Sequence, residues 1–378
     1  FILLGPPAPP VVRMWPCGEG LGCQRLLDMF QRPLDGPLAQ YKAQRRPEYE
    51  ECRRRLKTPR PAHAALDDFV PISRLGSGSF GQVFLVTHKA TAYDYAMKVC
   101  RKPGGARHET EQLYMERRIL FACNHNFITK LIYTFAHGPS LFFIMEYAPC
   151  GTLKSIAERY SPLRASVVRL MAAQLVMALE YLHEVKIAHR DLNPNNVLVF
   201  MRCHLKLTDF GLAADVSRGD VQGFCGTVNY IAPEVHMRAR YNVHVDWFSL
   251  GCILADLIGY DRQSASANRA TSPVALQALF QRAQTKIIGL MHNTDRLAQS
   301  FISRLLEADY RKRLGYSNGS IAVMMHRWFN DIDWVAMYNG NFTIDLVIPV
   351  LEKHLNTENL SLLPTDYDER LNEQLVDF

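Results

Sequence analysis

Several absences narrow the reading before any motif is considered. No stretch of the 378 residues approaches the roughly 18–20 apolar residues that cross a bilayer, so no transmembrane segment is expected. The nine cysteines form no C-x-x-C pair, which argues against zinc ribbons and thioredoxin chemistry. Their odd number and wide scatter suit a reducing compartment, so a cytoplasmic or nuclear setting is expected. No internal repeat is visible, which removes solenoids and propellers.

An excess of one charge is also missing from most of the chain. The formal net charge is +6, yet residues 1–65 alone hold eleven Lys/Arg against six Asp/Glu. The remainder is nearly neutral and carries no footprint for specific nucleic-acid binding. Residues 1–65 also hold ten of the 20 prolines. The run from Arg45 through Arg53-Arg54-Arg55 to Pro61 shows no apolar face. A disordered, proline-rich basic leader is therefore predicted over 1–65, open to a regulatory partner of acidic character. Its opening Phe1-Ile2-Leu3-Leu4 runs at once into Gly5-Pro6-Pro7 and is shorter than a signal-peptide core.

What is present reads as a folded protein of two or three units, with 48% hydrophobic and 21% charged residues. From Leu66 the pattern is strand, glycine turn, strand. Phe69, Ile72 and Leu75 lead into Gly76-Ser77-Gly78-Ser79-Phe80-Gly81, and Val83 to Val86 follow. Further strands are expected at 95–99, 127–135 and 141–147, with a helix at 110–121. Beyond Pro149 helical spacing dominates, at 166–183, 245–258 and 297–306. The fold class is α+β, with a small strand-rich unit at 66–147 and a larger helical unit at 148–338.

The chemistry-bearing residues cluster in both units. Gly76-x-Gly78-x-x-Gly81 alone is ambiguous: such a turn brings backbone N–H groups close to phosphates, but it also suits an ordinary hairpin. Lys98 sits on an apolar strand, and Glu116 on the helix that follows could hold it against phosphates. His189-Arg190-Asp191-Leu192-Asn193-Pro194-Asn195-Asn196 places an aspartate five residues before an asparagine in a polar loop. Such a pair can serve as base and metal ligand. Asp209-Phe210-Gly211 follows the strand-like Leu205-Lys206-Leu207, and Ala232-Pro233-Glu234 closes the loop. Asp246 and Arg313 lie further on. Each piece alone has a structural reading, but the ordered set does not arise by chance.

In that order the motifs resemble a eukaryotic protein kinase over about 66–338. The finer pattern is similar to the AGC group, in the branch of the cAMP-dependent and S6 kinases. It rests on Cys225-Gly226-Thr227 before Ala232-Pro233-Glu234, on Val245-Asp246-Trp247, and on His326-Arg327-Trp328-Phe329. Residues 339–378 resemble the AGC C-terminal tail, with Leu375 and Phe378 as the end that docks on the small lobe. The resemblance implies a bilobal fold and the cofactors ATP and Mg²⁺. It implies that the loop of Gly76, Ser77, Gly78, Ser79, Phe80 and Gly81 covers the ATP phosphates. Val83, Ala96, Met145, Glu146, Ala148 and Leu198 would surround adenine, with Met145 as gatekeeper. Lys98, oriented by Glu116, would contact the α and β phosphates. Asp191 would accept the substrate proton, while Asn196 and Asp209 would hold the metal. Leu120, Leu131, His189 and Phe210 fit one internal spine, and Val83, Ala96, Leu153 and Leu198 the other.

The pattern is broken in three places. Ser/Thr kinases carry a lysine two residues after the catalytic aspartate, and tyrosine kinases an arginine two or four after it. Here those positions are Asn193 and Asn195. The activation-loop threonine of AGC kinases is replaced by Gly223, and two of its phosphate partners by Gln112 and Ala214. Thr152 and Asn195 replace two acids that read basic substrates, while Asp256 keeps the third. The expected function is phosphoryl transfer from MgATP to Ser/Thr of protein substrates, slowed by Asn193. The alternative is an ATP-binding pseudokinase or scaffold.

Overall fold

The computed structural model describes residues 36–57, 64–78, 81–101, 107–138, 140–259 and 295–350. Over Pro37–Arg55 the first element departs from the disordered leader expected for 1–65, of which residues 1–35 and 58–63 lie outside the described residues. Helix α1 (Pro37–Arg55) opens with proline at its first position, where no N–H is needed, and ends on Arg53, Arg54 and Arg55, whose charges suit the C-terminal dipole. Pro47 lies inside it on the exposed side. Leu38, Tyr41, Tyr49 and Cys52 form the buried stripe at three- and four-residue spacing, with the half-buried Arg45 between them. Apart from Leu38 that stripe is made of tyrosines, a cysteine and an arginine stem, so hydropathy hides it.

The stripe packs on the helical lobe. Glu180 has a fully buried side chain and accepts from Lys42 Nζ, from Tyr49 Oη at 2.8 Å and from Tyr41 Oη at 3.3 Å. The Arg45 guanidinium stands 3.8 Å over the Tyr338 ring. Leu56, just past the helix, accepts from Arg118 Nη2 at 2.6 Å and Nε at 3.0 Å. Arg118 belongs to α2 (Arg107–Ala122), so α1 spans both lobes.

The small lobe is a five-stranded antiparallel sheet. Its strands are β1 (Phe69–Gly78), β2 (Gly81–His88), β3 (Asp94–Arg101), β4 (Leu131–His137) and β5 (Ser140–Glu146), in the order β1-β2-β3-β5-β4. Helix α2 connects β3 to β4. Along β3 the side chains alternate. Met97 and Val99 enter a small apolar cluster with Phe84, Phe142 and Ile144, which leaves Ala96 and Lys98 on the opposite face. The strand expected from 127 begins only at Leu131. Phe127 and Ile128 are instead buried against the helical lobe, where Ile128 bridges Leu207.

The large lobe is built around α4 (Ala165–Glu184), which follows the short α3 (Leu153–Tyr160). By length and composition α4 could cross a membrane, but most of it is buried inside the lobe. The pairs β6 (Ile187–Ala188) with β9 (Ala214–Asp215), and β7 (Val197–Phe200) with β8 (His204–Leu207), frame the loops that carry chemistry. Then follow α5 (Pro233–His236), α6 (His244–Leu257), α7 (Arg296–Leu305), α8 (Gly319–Met324) and α9 (Trp334–Tyr338). Trp247, Leu250, Ile253, Leu254 and Leu257 of α6 are inaccessible to solvent. Burial of each aliphatic side chain contributes about 1.5–3 kcal/mol. Residues 339–350 add no helix or strand, and Leu375 and Phe378 lie outside the described residues.

Candidate active site

On the sheet side of the cleft, Lys98 Nζ meets Glu116 Oε1 at 2.6 Å and Asp209 Oδ1 at 3.1 Å. Burial disfavours the lysine charge, but the Glu116 and Asp209 carboxylates outweigh it and hold the Lys98 pKa above its ordinary value. Burial pushes Glu116 up against the pull of Lys98. Burial also acts to raise Asp209, yet Lys98 leaves that carboxyl below its usual range. A charged ammonium is therefore fixed between two carboxylates in a site with little water. Asp209 holds a left-handed backbone, φ 61°, as does Arg190 at φ 65°. Such conformations are costly for non-glycine residues and persist where the surroundings enforce them.

Gly76, Ser77 and Gly78 close β1, and Gly78 pairs with Gly81. Ser79 and Phe80 lie outside the described residues. Gly81 has φ 148°, and a Cβ there would stand 2.1 Å from the Val99 carbonyl oxygen, so the crossing of β3 requires glycine. A Cβ on Gly76 would meet nothing within 4 Å, so packing does not demand that glycine. Ala96, Met145 and Ala148 are buried, while Val83 and Leu198 remain partly open. Among the described residues the Ala148 N–H donates to no backbone carbonyl. The Glu146 side chain is engaged elsewhere, with Lys206 Nζ 2.6 Å and 2.7 Å from its two oxygens.

The catalytic loop hangs from Asp246. Its Oδ2 accepts from His189 N and lies 2.9 Å from His183 Nε2, while Oδ1 accepts from Arg190 N, all three at 2.9 Å. That role was not assigned from sequence, although Asp246 stood out. Asp191 Oδ1 accepts from Thr227 N and Thr227 Oγ1, each at 2.8 Å, and from Asn193 Nδ2 at 3.1 Å. Among the described residues its Oδ2 accepts only from Asn196 Nδ2, at 3.0 Å. Asn193 Nδ2 also reaches Thr227 Oγ1 at 3.0 Å, and Asn193 Oδ1 accepts from Asn195 N. Thr227 was quoted in the motif but left off the site; the aspartate it caps is the signal that would have found it. Gly226 has φ 104°, and a Cβ would press to 2.6 Å of the Arg190 carbonyl oxygen, so glycine lets the activation segment touch this loop.

The activation segment is anchored without a phosphate. Arg313 pairs both ways with Glu234, at 2.6 Å and 2.8 Å, with neither side chain exposed. Arg190 is held by the Leu212 carbonyl at 2.6 Å and lies 3.4 Å from Tyr241 Oη, which in turn donates to the Gly223 carbonyl. Thr152 caps α3, and Asp256 accepts from Tyr230 Oη at 2.7 Å. His189 and Phe210 stack obliquely, centroids 5.1 Å apart, beside the buried Leu120.

A fixed lysine–glutamate pair facing one aspartate, opposite a loop that presents a second, defines a cleft for handling phosphates. Comparison with known proteins agrees. The description "Protein kinase domain" matches residues 69–329. The serine/threonine-protein kinase sgk-1 of Caenorhabditis elegans is 32% identical over 302 residues, 79% of this chain and 64% of that protein. The cAMP-dependent protein kinase catalytic subunit PRKX of Homo sapiens is 31% identical over 82% of this chain and 85% of its own length. The cAMP-dependent protein kinase catalytic subunit of Arthrobotrys oligospora is 34% identical over 75% of this chain, but only 54% of its length is spanned. The chain belongs to the protein kinase family, within its AGC group.

Proposed function

We propose that the protein is a serine/threonine kinase that transfers the γ-phosphoryl group of ATP to protein hydroxyls. The observation that carries this reading is the closed Lys98–Glu116 pair with Asp209 in reach of the same ammonium. In the reaction the substrate hydroxyl oxygen bonds to the γ phosphorus, the bond to the β,γ-bridging oxygen breaks, and ADP leaves. Asp191 takes the hydroxyl proton on Oδ2, because its Oδ1 already accepts three hydrogen bonds. Lys98 orients the phosphates, and Val83, Ala96 and Leu198 sandwich the base.

The residues present fit a magnesium ion shared with nucleotide. Asn196 spends its amide N–H on Asp191, and neither its Oδ1 nor Asp209 Oδ2 accepts a hydrogen bond among the described residues. Among the described residues no group of three or more His, Cys, Asp and Glu forms a cage, and Mg²⁺ commonly takes its other ligands from phosphates and water. When bound, Mg²⁺ neutralises charge developing on the phosphates. The seven described cysteines are all free thiols, which supports the proposed cytoplasmic or nuclear setting.

Asn193 takes over positioning without charge: it ties Thr227 to Asp191 but adds no cation. Transfer of labelled γ-phosphate to Ser/Thr peptides tests the reading. Wild type should transfer, and Asp191→Asn should lower the rate about 10²–10⁴-fold. Equal rates in the two proteins, with ATP bound by both, would leave a nucleotide-binding scaffold.

A further inference from the structure

A second concave site lies in the large lobe between α7, α8 and the loop 311–318. It is a concavity open to solvent, with a volume of about 600 Å³, and none of the cleft residues lines it. Arg304, Arg311, Lys312 and Arg327 line it, all exposed, and no acidic residue does. Its apolar patches come from Leu297, Leu314 and Met325. Among the described residues, no acidic side chain pairs with Arg304, Arg311 or Arg327, and Lys312 has only a distant Asp309 at 3.8 Å. Arg313 also reaches the wall, but its guanidinium is consumed by Glu234.

The excess is local. The body of the chain is close to neutral, so four cations on one concavity, three of them without an acidic partner among the described residues, are not the overflow of a basic protein. Arg304 and Arg327 both stand near His326, and after burial their charges are what draw its pKa down to about 4. The imidazole is therefore neutral, with Nε2 near Ser300 Oγ and Nδ1 accepting from Trp328 N, and leaves the charge to the guanidiniums. Two forked donors near the same imidazole, with two more cations lining the same concavity, suit the several oxygens of a phosphate better than a single carboxylate.

We propose that this basin docks a phosphorylated peptide segment of another protein. The volume exceeds what a free phosphate fills, and the apolar patches offer footing for residues beside the phosphate. A membrane would meet a flat or protruding surface, and this one is concave. An extended nucleic acid would need a basic stripe, and the cations named here line one concavity. The proposal goes beyond catalysis in the cleft and does not rest on it.

The test is binding of the full chain to an array of phosphoserine and phosphothreonine peptides and their unphosphorylated twins. Inorganic phosphate, phosphoinositide-containing vesicles and single-stranded RNA serve as competing probes. A subset of phosphopeptides should bind, their twins should not, and binding should weaken as salt rises. Arg304→Gln with Arg327→Gln should weaken it at least about tenfold, since each removes a charge-assisted contact. Both side chains are exposed, so this variant should keep its fold, checked by unaltered ATP-analogue binding. If the double variant fails to fold, the single substitutions carry the test. Phosphopeptide binding unchanged by these substitutions would place it in the cleft and overturn the proposal. Preference for vesicles or RNA, or for inorganic phosphate alone, would overturn it too.

Discussion

The two halves of the cleft solve the same electrostatic problem differently. On the nucleotide side, the Lys98 ammonium holds two carboxylates, Glu116 at 2.6 Å and Asp209 at 3.1 Å. On the substrate side, Asp191 is the charged member of its hydrogen-bonded cluster. Its neighbours Asn193, Asn196 and Thr227 are neutral donors. Next to the activation segment Arg190 is likewise spent on a backbone carbonyl and position 223 is a glycine, although the segment's base is anchored by the charged Arg313–Glu234 pair. Binding a polyphosphate needs fixed positive charge at all times. Positioning a hydroxyl needs geometry first, and hydrogen bonds supply it. Charge that appears only in the transition state is what the second half lacks.

The largest effect should come from the charged half. Lys98→Met leaves Glu116 buried without its partner, a change that typically costs about 3–5 kcal/mol. Both the melting temperature and ATP binding should fall, and turnover should be lost. Unaltered ATP binding in this variant would break the contrast. Asn193→Lys probes the neutral half. A restored cation should raise kcat by up to about 10²–10³, by analogy with a single transition-state donor, while ATP affinity stays the same. If affinity and kcat move together, the two halves are not separable.

A smaller effect tests what lies beneath both halves. Burial holds the pKa of His125 at about 3 and that of His244 at about 4, and burial with two arginines holds His326 at about 4. Each is depressed below its unfolded value of about 6.5, so below that pH the unfolded chain binds protons that the folded chain refuses. Stability present above pH 6.5 should thus drain as pH falls toward 4. These rings sit in the lobe core, so melting curves should shift before any cleft-specific signal does. A flat melting temperature from pH 7 to 5 would contradict the assignment.

Much of this was legible in residues. Lys98, Glu116, Asp191, Asn196 and Asp209 were picked out by motif, and the structure brings them to one cleft. Helices α2, α4, α6 and α7 each lie within a few residues of the spans read from periodicity, because their apolar faces are built from unambiguous side chains. What escaped was held by tertiary contact. Thr227 matters through a hydrogen bond to a residue 36 positions away. Asp246 matters because three donors from other elements converge on it. Helix α1 escaped because its buried face is polar at the tips, and tyrosine hydroxyls find their acceptor only once Glu180 is in place.

That helix changes where the folding unit begins. The family match opens at Phe69, yet Glu180 depends on Tyr41, Lys42 and Tyr49, all upstream of it. A protein expressed from Phe69 onward would strip an internal carboxylate of all three donors at once and take from Arg118 its Leu56 carbonyl. The folded unit therefore extends upstream of its motifs, to include the helix Pro37–Arg55.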